Sequence, residues 1–301
     1  MYDLISIGNI TIDLFFKGDS LTQKDDRFFL ALGGKYSASY FHESLGGGGA
    51  NVAVGCASFG LNCAVIGSIG ENPFKNVIIQ KLVKKGISCE FLRVEKNYIN
   101  ISAILLNEKG ERTVVHYGTP HTDNITLNYL LPHSPKSKMI YMGNIRGITL
   151  NERKKSLCLF KKNSSLICIG LGISDCRNGF SYLKDILSCV DILILNTHEF
   201  SELVKKKYSN INFNENQAGL IHFDNQIVVL TDAEKGAYAY YKKKVYYQNA
   251  PTIKKIVDTT GAGDAFTSGF LSSYATDKNI QKALIRGSEY ASSILSKIGA
   301  Q

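Results

Sequence analysis

The chain has 301 residues, and 35 Lys plus Arg against 26 Asp plus Glu give a formal net charge of +9. That length holds one large domain or two small ones, and 44% hydrophobic residues with only 5 Pro exclude a disordered or collagen-like chain. Charged residues at 20%, below the usual value of about 25%, describe a globular enzyme rather than a polyelectrolyte.

Apolar strand-like runs alternate with helix-like segments, which predicts a three-layer α/β sheet of mainly parallel strands flanked by helices. A strand over 4–8 comes first, in an opening with no basic n-region or long apolar h-region, so no secretory signal is expected. An irregular β-prone segment follows over 14–44. A small-residue helix over 50–59 then feeds a strand over 63–67, and Pro73 opens a helix that runs to 85 and stops at Gly86. The runs 101–106 and 113–117, with Gly110 between them, predict a β-hairpin. With 14–44 it forms a small extra sheet, separate in space although interleaved in sequence, over about 14–44 and 97–118. Further strands are expected over 139–142, 166–170, 191–195 and 227–231, with helices between them. Helices over 262–275 and 280–297 close a single domain spanning 1–301.

Short basic runs at Lys205-Lys206-Lys207, Lys242-Lys243-Lys244 and Lys254-Lys255 are isolated from one another and not interleaved with aromatics. They read as solvated surface, with Lys242 to Lys244 at a hairpin tip, and no nucleic-acid partner is expected. No run reaches the roughly 18 apolar residues of a membrane span, so no membrane partner is expected and the default compartment is cytoplasmic. The 7 Cys are scattered without a C-x-x-C pair, which predicts reduced, mostly buried thiols.

The most informative stretch is Asp258-Thr259-Thr260-Gly261-Ala262-Gly263-Asp264-Ala265-Phe266. Two glycines flank an alanine where an apolar helix begins, so unpaired N–H groups and the positive helix end converge on an anion site. Asp264 beside such a cradle repels a phosphate, unless it is a base taking a proton from a hydroxyl while the hole holds a transferring phosphoryl group. On spacing alone, an ordinary helix N-terminus with Asp in its first turn reads equally well.

Gly46-Gly47-Gly48-Gly49-Ala50-Asn51 carries four consecutive glycines, a large backbone-entropy penalty that points to close approach of a ligand. It is not a Walker A loop, and neither it nor Gly170-Leu171-Gly172-Ile173-Ser174-Asp175 completes G-x-G-x-x-G. Asn196-Thr197-His198-Glu199 lies at a strand end facing the crevice of an α/β sheet. Its amide and carboxylate suit hydrated Mg²⁺. They also suit an ordinary helix start, in which Glu199 complements the dipole. Asp13 is a further carboxylate near a strand end.

Taken together these segments resemble the ribokinase-like (pfkB) family of carbohydrate kinases. The resemblance runs in order through Gly8-Asn9-Ile10-Thr11-Ile12-Asp13, Gly46 to Asn51, Gly110-Glu111-Arg112-Thr113, Asn196-x-x-Glu199, Thr231 to Gly236, Asp258 to Phe266 and Gly299-Ala300-Gln301. It implies a ribokinase-like fold with a β-sheet lid, and ATP-dependent, Mg²⁺-requiring phosphorylation of an alcohol of a sugar, sugar derivative or nucleoside. Asp264 is then the general base and Gly261, Ala262 and Gly263 the anion hole. Asp13, Gly47, Gly48 and Asn51 hold sugar hydroxyls, and Asn196 and Glu199 organise phosphates and Mg²⁺ through water. Thr231, Ala233 and Gly236 follow the nucleotide's phosphates and ribose, and Ser288 lies near the adenine pocket. Asp258 and Thr260 are the candidates for a K⁺ site.

Departures from the family pattern bear on the substrate. Gly48 stands where ribokinases proper carry Lys, Gly170 to Ser174 replaces an Asp-Pro-Asn-like stretch, and Asp232-Ala233 replaces Leu-Gly. A nucleoside kinase is one alternative, with Phe15, Phe16, Phe28, Phe29 and Tyr36 walling the base. The same aromatics also serve as the lid's own core or as a homodimer face. A non-catalytic member that binds nucleotide or sugar is the alternative from outside the enzymes.

Overall fold

Consecutive apolar strands with helical crossovers place the main sheet almost wholly in parallel register. The computed structural model describes residues 1–18, 21, 23–24, 27–107, 112–119, 135–145, 148–163, 165–223, 225–253, 256–297 and 299–300. Gly110, Glu111, Lys254, Lys255 and Gln301, singled out in the sequence, lie outside these residues. The strands are β1 (Tyr2–Ile7), β2 (Thr11–Lys17), β3 (Gln23–Lys24), β4 (Arg27–Phe28), β5 (Tyr40–Gly46), β6 (Cys63–Gly70), β7 (Ser88–Glu95), β8 (Asn100–Leu106), β9 (Arg112–Gly118), β10 (Ser137–Met142), β11 (Leu166–Gly170), β12 (Ile192–Asn196), β13 (Ile227–Thr231), β14 (Ala237–Tyr241) and β15 (Lys244–Gln248). The helices are α1 (Gly48–Ser58), α2 (Phe74–Lys84), α3 (Leu150–Lys162), α4 (Ile173–Cys176), α5 (Phe180–Leu187), α6 (Thr197–Val204), α7 (Ala262–Asp277) and α8 (Ile280–Ile294).

Nine strands build the main sheet in the order β15-β14-β13-β12-β11-β10-β1-β6-β7. The pairs from β13 through β7 are parallel, whereas β14 and β15 add antiparallel at the edge. That edge hairpin turns at Lys242 and Lys243, both in the left-handed region with φ of 47° and 63°, and both exposed as expected of a tip. Central strands buried on both faces need two apolar layers. Leu157, Phe160, Leu183, Phe200 and Leu203 from α3, α5 and α6 cover one face. Residues of α1, α2, α7 and α8, including Ala53, Leu82, Phe270 and Leu284, cover the other. All seven cysteines are free thiols, four of them buried and three half-buried.

The chain runs from β1 outward to β6 and β7, then returns to add β10 on the other side of β1. The strand order therefore reverses between β1 and β10, and the crevice beyond the carboxyl ends of such strands is where open α/β sheets bind ligands. Gly143 N–H donates to the Ile7 carbonyl at 2.9 Å there, and the Asn9 amide donates to the Asn144 carbonyl at 3.3 Å.

Above this crevice stands a four-stranded sheet in the order β5-β2-β8-β9. Its strands lie a few residues outside the expected 14–44 window, since β2 begins at Thr11 and β5 ends at Gly46. Cross-strand register puts Asp13, Ser102 and His116 in one row and Phe15, Ile104 and Val114 in the next, on the face toward the crevice. Phe15, Ile104 and Leu106 form a small core of their own. Phe15 therefore serves the sheet's packing, and Phe16 pairs with Phe41 at 5.4 Å between ring centres.

Candidate active site

A cavity of about 530 Å³ lies between the two sheets, at the carboxyl ends of β1, β10, β11 and β12 and under β8 and β9. Asp13, Gly47, Gly48, Asn196, Glu199, Thr231, Thr260, Gly263 and Asp264 line it, so most of the residues named from sequence converge on one space.

Asp264 sits in the first turn of α7. Its carboxylate Oδ2 accepts a hydrogen bond from the Asn51 amide at 2.8 Å. Close approach of α1 and α7 makes this contact, because a Cβ on Gly55 would lie 2.3 Å from the Ser268 hydroxyl. Burial raises the pKa of Asp264, and Asp13 raises it further, while the Asn51 bond lowers it. Asn51 is not among the cavity's lining residues, and its amide holds the carboxylate of Asp264, which is.

Gly261 caps α7 in the left-handed conformation, with φ of 75°. A side chain there is also excluded by space, since a Cβ would lie 2.1 Å from the Ala300 Cβ. The first turn leaves the amides of Ala262, Gly263 and Asp264 without intrahelical acceptors. Gly263 has nothing within 4 Å of its Cβ position, so the helix end is open to the cavity.

The four glycines have different reasons. Cβ atoms at Gly46, Gly47 and Gly49 would meet Asp13 Oδ2 at 1.9 Å, the Asn9 carbonyl at 2.3 Å and the Gly8 backbone at 2.7 Å. At these three positions the chain's own packing demands glycine, a reason separate from the approach of a ligand. Gly47 and Gly48 both line the cavity, and a Cβ on Gly48 would lie 3.3 Å from Asp264 Oδ1.

Asp13 is buried, and its Oδ1 accepts from the Thr11 hydroxyl at 2.9 Å. Burial raises its pKa, opposed by the hydroxyls of Ser102 and Thr11 and by the nearby His116. Ser102 and His116 Nδ1 are 3.3 Å apart. The hydroxyl-rich corner around Asp13 suits an acceptor with several hydroxyls.

On the opposite wall, Asn196 caps α6 and forms a capping box with Glu199. The Glu199 N–H donates to Asn196 Oδ1 at 2.8 Å, and the Asn196 N–H donates to Glu199 Oε2 at 2.9 Å. Both readings of this motif therefore apply to the same residues. Burial pushes the Glu199 carboxyl up to about 7. A half-buried carboxylate at the cavity wall, with no basic side chain bonded to it among the described residues, fits a hydrated divalent cation.

Thr231 reaches the cavity, whereas Ala233, Gly236 and Ser288 are not among its lining residues. Ala233 and Gly236 shape the turn from β13 to β14, with φ of 46° and 100°. Asp232, a departure from the family pattern, accepts from the Thr197 hydroxyl at 2.8 Å and the Tyr208 hydroxyl at 2.7 Å, tying that turn to α6. Ser288 is buried on α8.

The donor set around Asp258 does not fit K⁺. Its Oδ1 accepts from the Thr260 N–H and hydroxyl, at 2.8 and 2.6 Å, and its Oδ2 accepts from the Gly299 N–H at 2.9 Å. The Arg112 guanidinium lies 3.6 Å from Asp258 and also donates to the Thr259 hydroxyl. A fixed cation already neutralises this carboxylate, so K⁺ enters no step below.

None of Phe15, Phe16, Phe28, Phe29 and Tyr36 lines the cavity, so the aromatic wall expected of a nucleoside site is not built from them. Sequence reasoning gave no role to Asn9, Ser102, His116, Tyr141 or Asn144, all of which line it. Alternation along the hairpin was the available signal for Ser102, Arg112 and His116, which share one face.

A profile of the pfkB family of carbohydrate kinases matches residues 1–301. The chain belongs to that family. By family it is a phosphotransferase. It is similar to a probable fructokinase of Arabidopsis thaliana, 27% identical over 251 residues, covering 80% of this chain and 76% of that protein. A nucleoside kinase of Methanocaldococcus jannaschii is 26% identical over 309 residues, covering 100% of this chain and 93% of the relative. Among solved structures, Arabidopsis thaliana ribokinase complexed with ribose and ATP shares the fold, with a TM-score of 0.76 at 20% identity over 99% of this chain and 92% of that one.

Proposed function

We propose that this pfkB kinase phosphorylates a hydroxyl of a sugar or sugar derivative, with Asp264 as the general base. The observation that carries it is the placement of Asp264, hydrogen-bonded to Asn51 at 2.8 Å, at the open end of α7 and facing the same cavity as Asp13 and Glu199. Mg·ATP, when bound, supplies the phosphoryl group and a hard cation for its oxygens. The acceptor's other hydroxyls are held by Asp13 with Thr11, Ser102 and His116, which orients one hydroxyl toward Asp264. Asp264 takes that hydroxyl's proton as the oxygen attacks. The amides of Gly261, Ala262 and Gly263 receive the charge that builds on the transferred group. Asn196 and Glu199 hold the phosphate side, Glu199 through water to the metal, and Thr231 borders the nucleotide.

The four-stranded sheet of β2, β5, β8 and β9 acts as a lid within one domain. Arg112 on β9 reaches the loop before α7, and this contact closes the acceptor side against water. The polar corner around Asp13 fits a sugar's hydroxyls, and none of Phe15, Phe16, Phe28, Phe29 and Tyr36 lines the cavity to wall a nucleoside's base. The lid's outer face, with Phe41 57%, Val115 63% and Tyr117 59% exposed, is where two copies pair. No helix among the described residues is long and apolar enough to cross a membrane, and free thiols fit a cytoplasmic enzyme.

The test is ADP release from Mg·ATP against pentoses, hexoses, sugar acids and nucleosides. Release with one sugar class supports the reading. Release with nucleosides alone moves the assignment to a nucleoside kinase, and nucleotide binding without release for any acceptor favours the non-catalytic alternative.

A further inference from the structure

Tyr141 stands on β10, next to the point where the strand order reverses, and its side chain is 5% exposed. The ring packs in the apolar layer that also holds Cys168, Ile194 and Phe266, while the residue still lines the cavity. Among the described residues no group hydrogen-bonds its hydroxyl, although a buried phenol ordinarily finds a partner. That oxygen is also not among the buried polar atoms lacking a partner, so its open side is the cavity. Space is kept for it: a Cβ on Gly170 would lie 2.8 Å from the Tyr141 oxygen, and one on Gly143 3.6 Å.

Asp264 on the acceptor side and Glu199 on the phosphate side line the same cavity as Tyr141. Its hydroxyl therefore opens into the space these two carboxylates share. We infer that the Tyr141 hydroxyl donates a hydrogen bond to the phosphoryl group in transit between nucleotide and acceptor, opposite the amides of α7. Burial holds this phenol well above its ordinary pKa, so it remains a donor throughout the neutral range. Such a donor, aimed where charge develops and needing no reorganisation, acts on turnover rather than on ground-state binding. The inference rests on the phosphoryl-transfer reading above and adds a catalytic residue to it.

Tyr141→Phe removes one oxygen that has no protein partner, so the fold and melting temperature stay unchanged. The expected result is a 10- to 100-fold lower kcat with KM for both substrates within about 3-fold. MgADP–aluminium fluoride, which mimics the group in transit, should bind at least 10-fold more weakly to the variant while MgADP alone binds equally. Gly170→Ala, which crowds the hydroxyl without removing it, should move both quantities the same way. Turnover and aluminium fluoride affinity within 2-fold of wild type would overturn the inference, as would a change confined to the acceptor's KM. The aluminium fluoride comparison needs no acceptor. A wild type inactive with every acceptor would therefore sink the kinase reading, yet the two affinities would still decide on Tyr141.

Discussion

The Asn51 amide and the Asp264 carboxylate, 213 positions apart in sequence, meet at 2.8 Å where α1 and α7 start. Two helix N-termini thus share one carboxylate, and Asn51 lowers a pKa that burial raises. Removing the amide leaves burial and Asp13 unopposed, so the base stays protonated to higher pH. Asn51→Ala should shift the acid limb of the kcat/KM–pH profile upward and lower the rate most at acidic pH. A profile that only scales downward, with an unmoved limb, would place Asn51 elsewhere in the mechanism.

Glu199 has a pKa of about 7 in the fold against an ordinary value of 4.5, so between these values the folded chain binds a proton that the unfolded chain does not. Stability therefore falls as pH rises through that window. Without nucleotide and Mg²⁺, the melting temperature of wild type should decline across it relative to Glu199→Gln. A cation held through the carboxylate reverses the preference, so added Mg·ATP should narrow the difference. Parallel melting curves for the two proteins at every pH would contradict this.

Arg112 is the only basic residue paired with the fully buried Asp258 among the described residues. Arg112→Ala leaves that carboxylate with its hydrogen bonds but no cation, and loosens the small sheet from the loop before α7. The expected loss is about 1–3 kcal/mol in urea unfolding, with a higher KM for the acceptor than for ATP. Lys in its place should rescue only partly, because the guanidinium reaches both Asp258 and Thr259. Unchanged unfolding and unchanged acceptor KM would remove the latch.

Ala233 holds φ of 46°, a conformation in which glycine is free of the Cβ penalty. Ala233→Gly should raise stability by about 0.5–1 kcal/mol after the entropy of glycine is subtracted, with activity unchanged. Destabilisation would show that the turn's bonds through Asp232 depend on the methyl group.

The strands and helices of the main sheet were legible in the sequence because apolar runs and stop signals such as Gly86 are local. Asp264 and the Gly261–Gly263 helix start were legible for the same reason, since a helix N-terminus carries its chemistry in consecutive residues. Contacts across the two sheets were not. The bond from Asn51 to Asp264 appears only once α1 and α7 are packed together, and Asp258 looks free for a cation until Arg112 arrives from β9. The packing reasons for Gly47 and Gly49 were not legible, because their backbone neighbours, Asn9 and Gly8, lie beyond the end of β1. Tyr141 reads as an ordinary strand aromatic, and only the room left by Gly170 distinguishes it.

The most direct test of the central claim is detection of the phosphate ester itself. Wild type and Asp264→Asn, both saturated with Mg·ATP and the acceptor that drives ADP release, would be followed by phosphorus NMR. The account predicts a sugar phosphate ester formed by wild type and a rate about 10²- to 10⁴-fold lower in the variant. Ester formation by Asp264→Asn within a few-fold of wild type would contradict the assignment of Asp264 as the base.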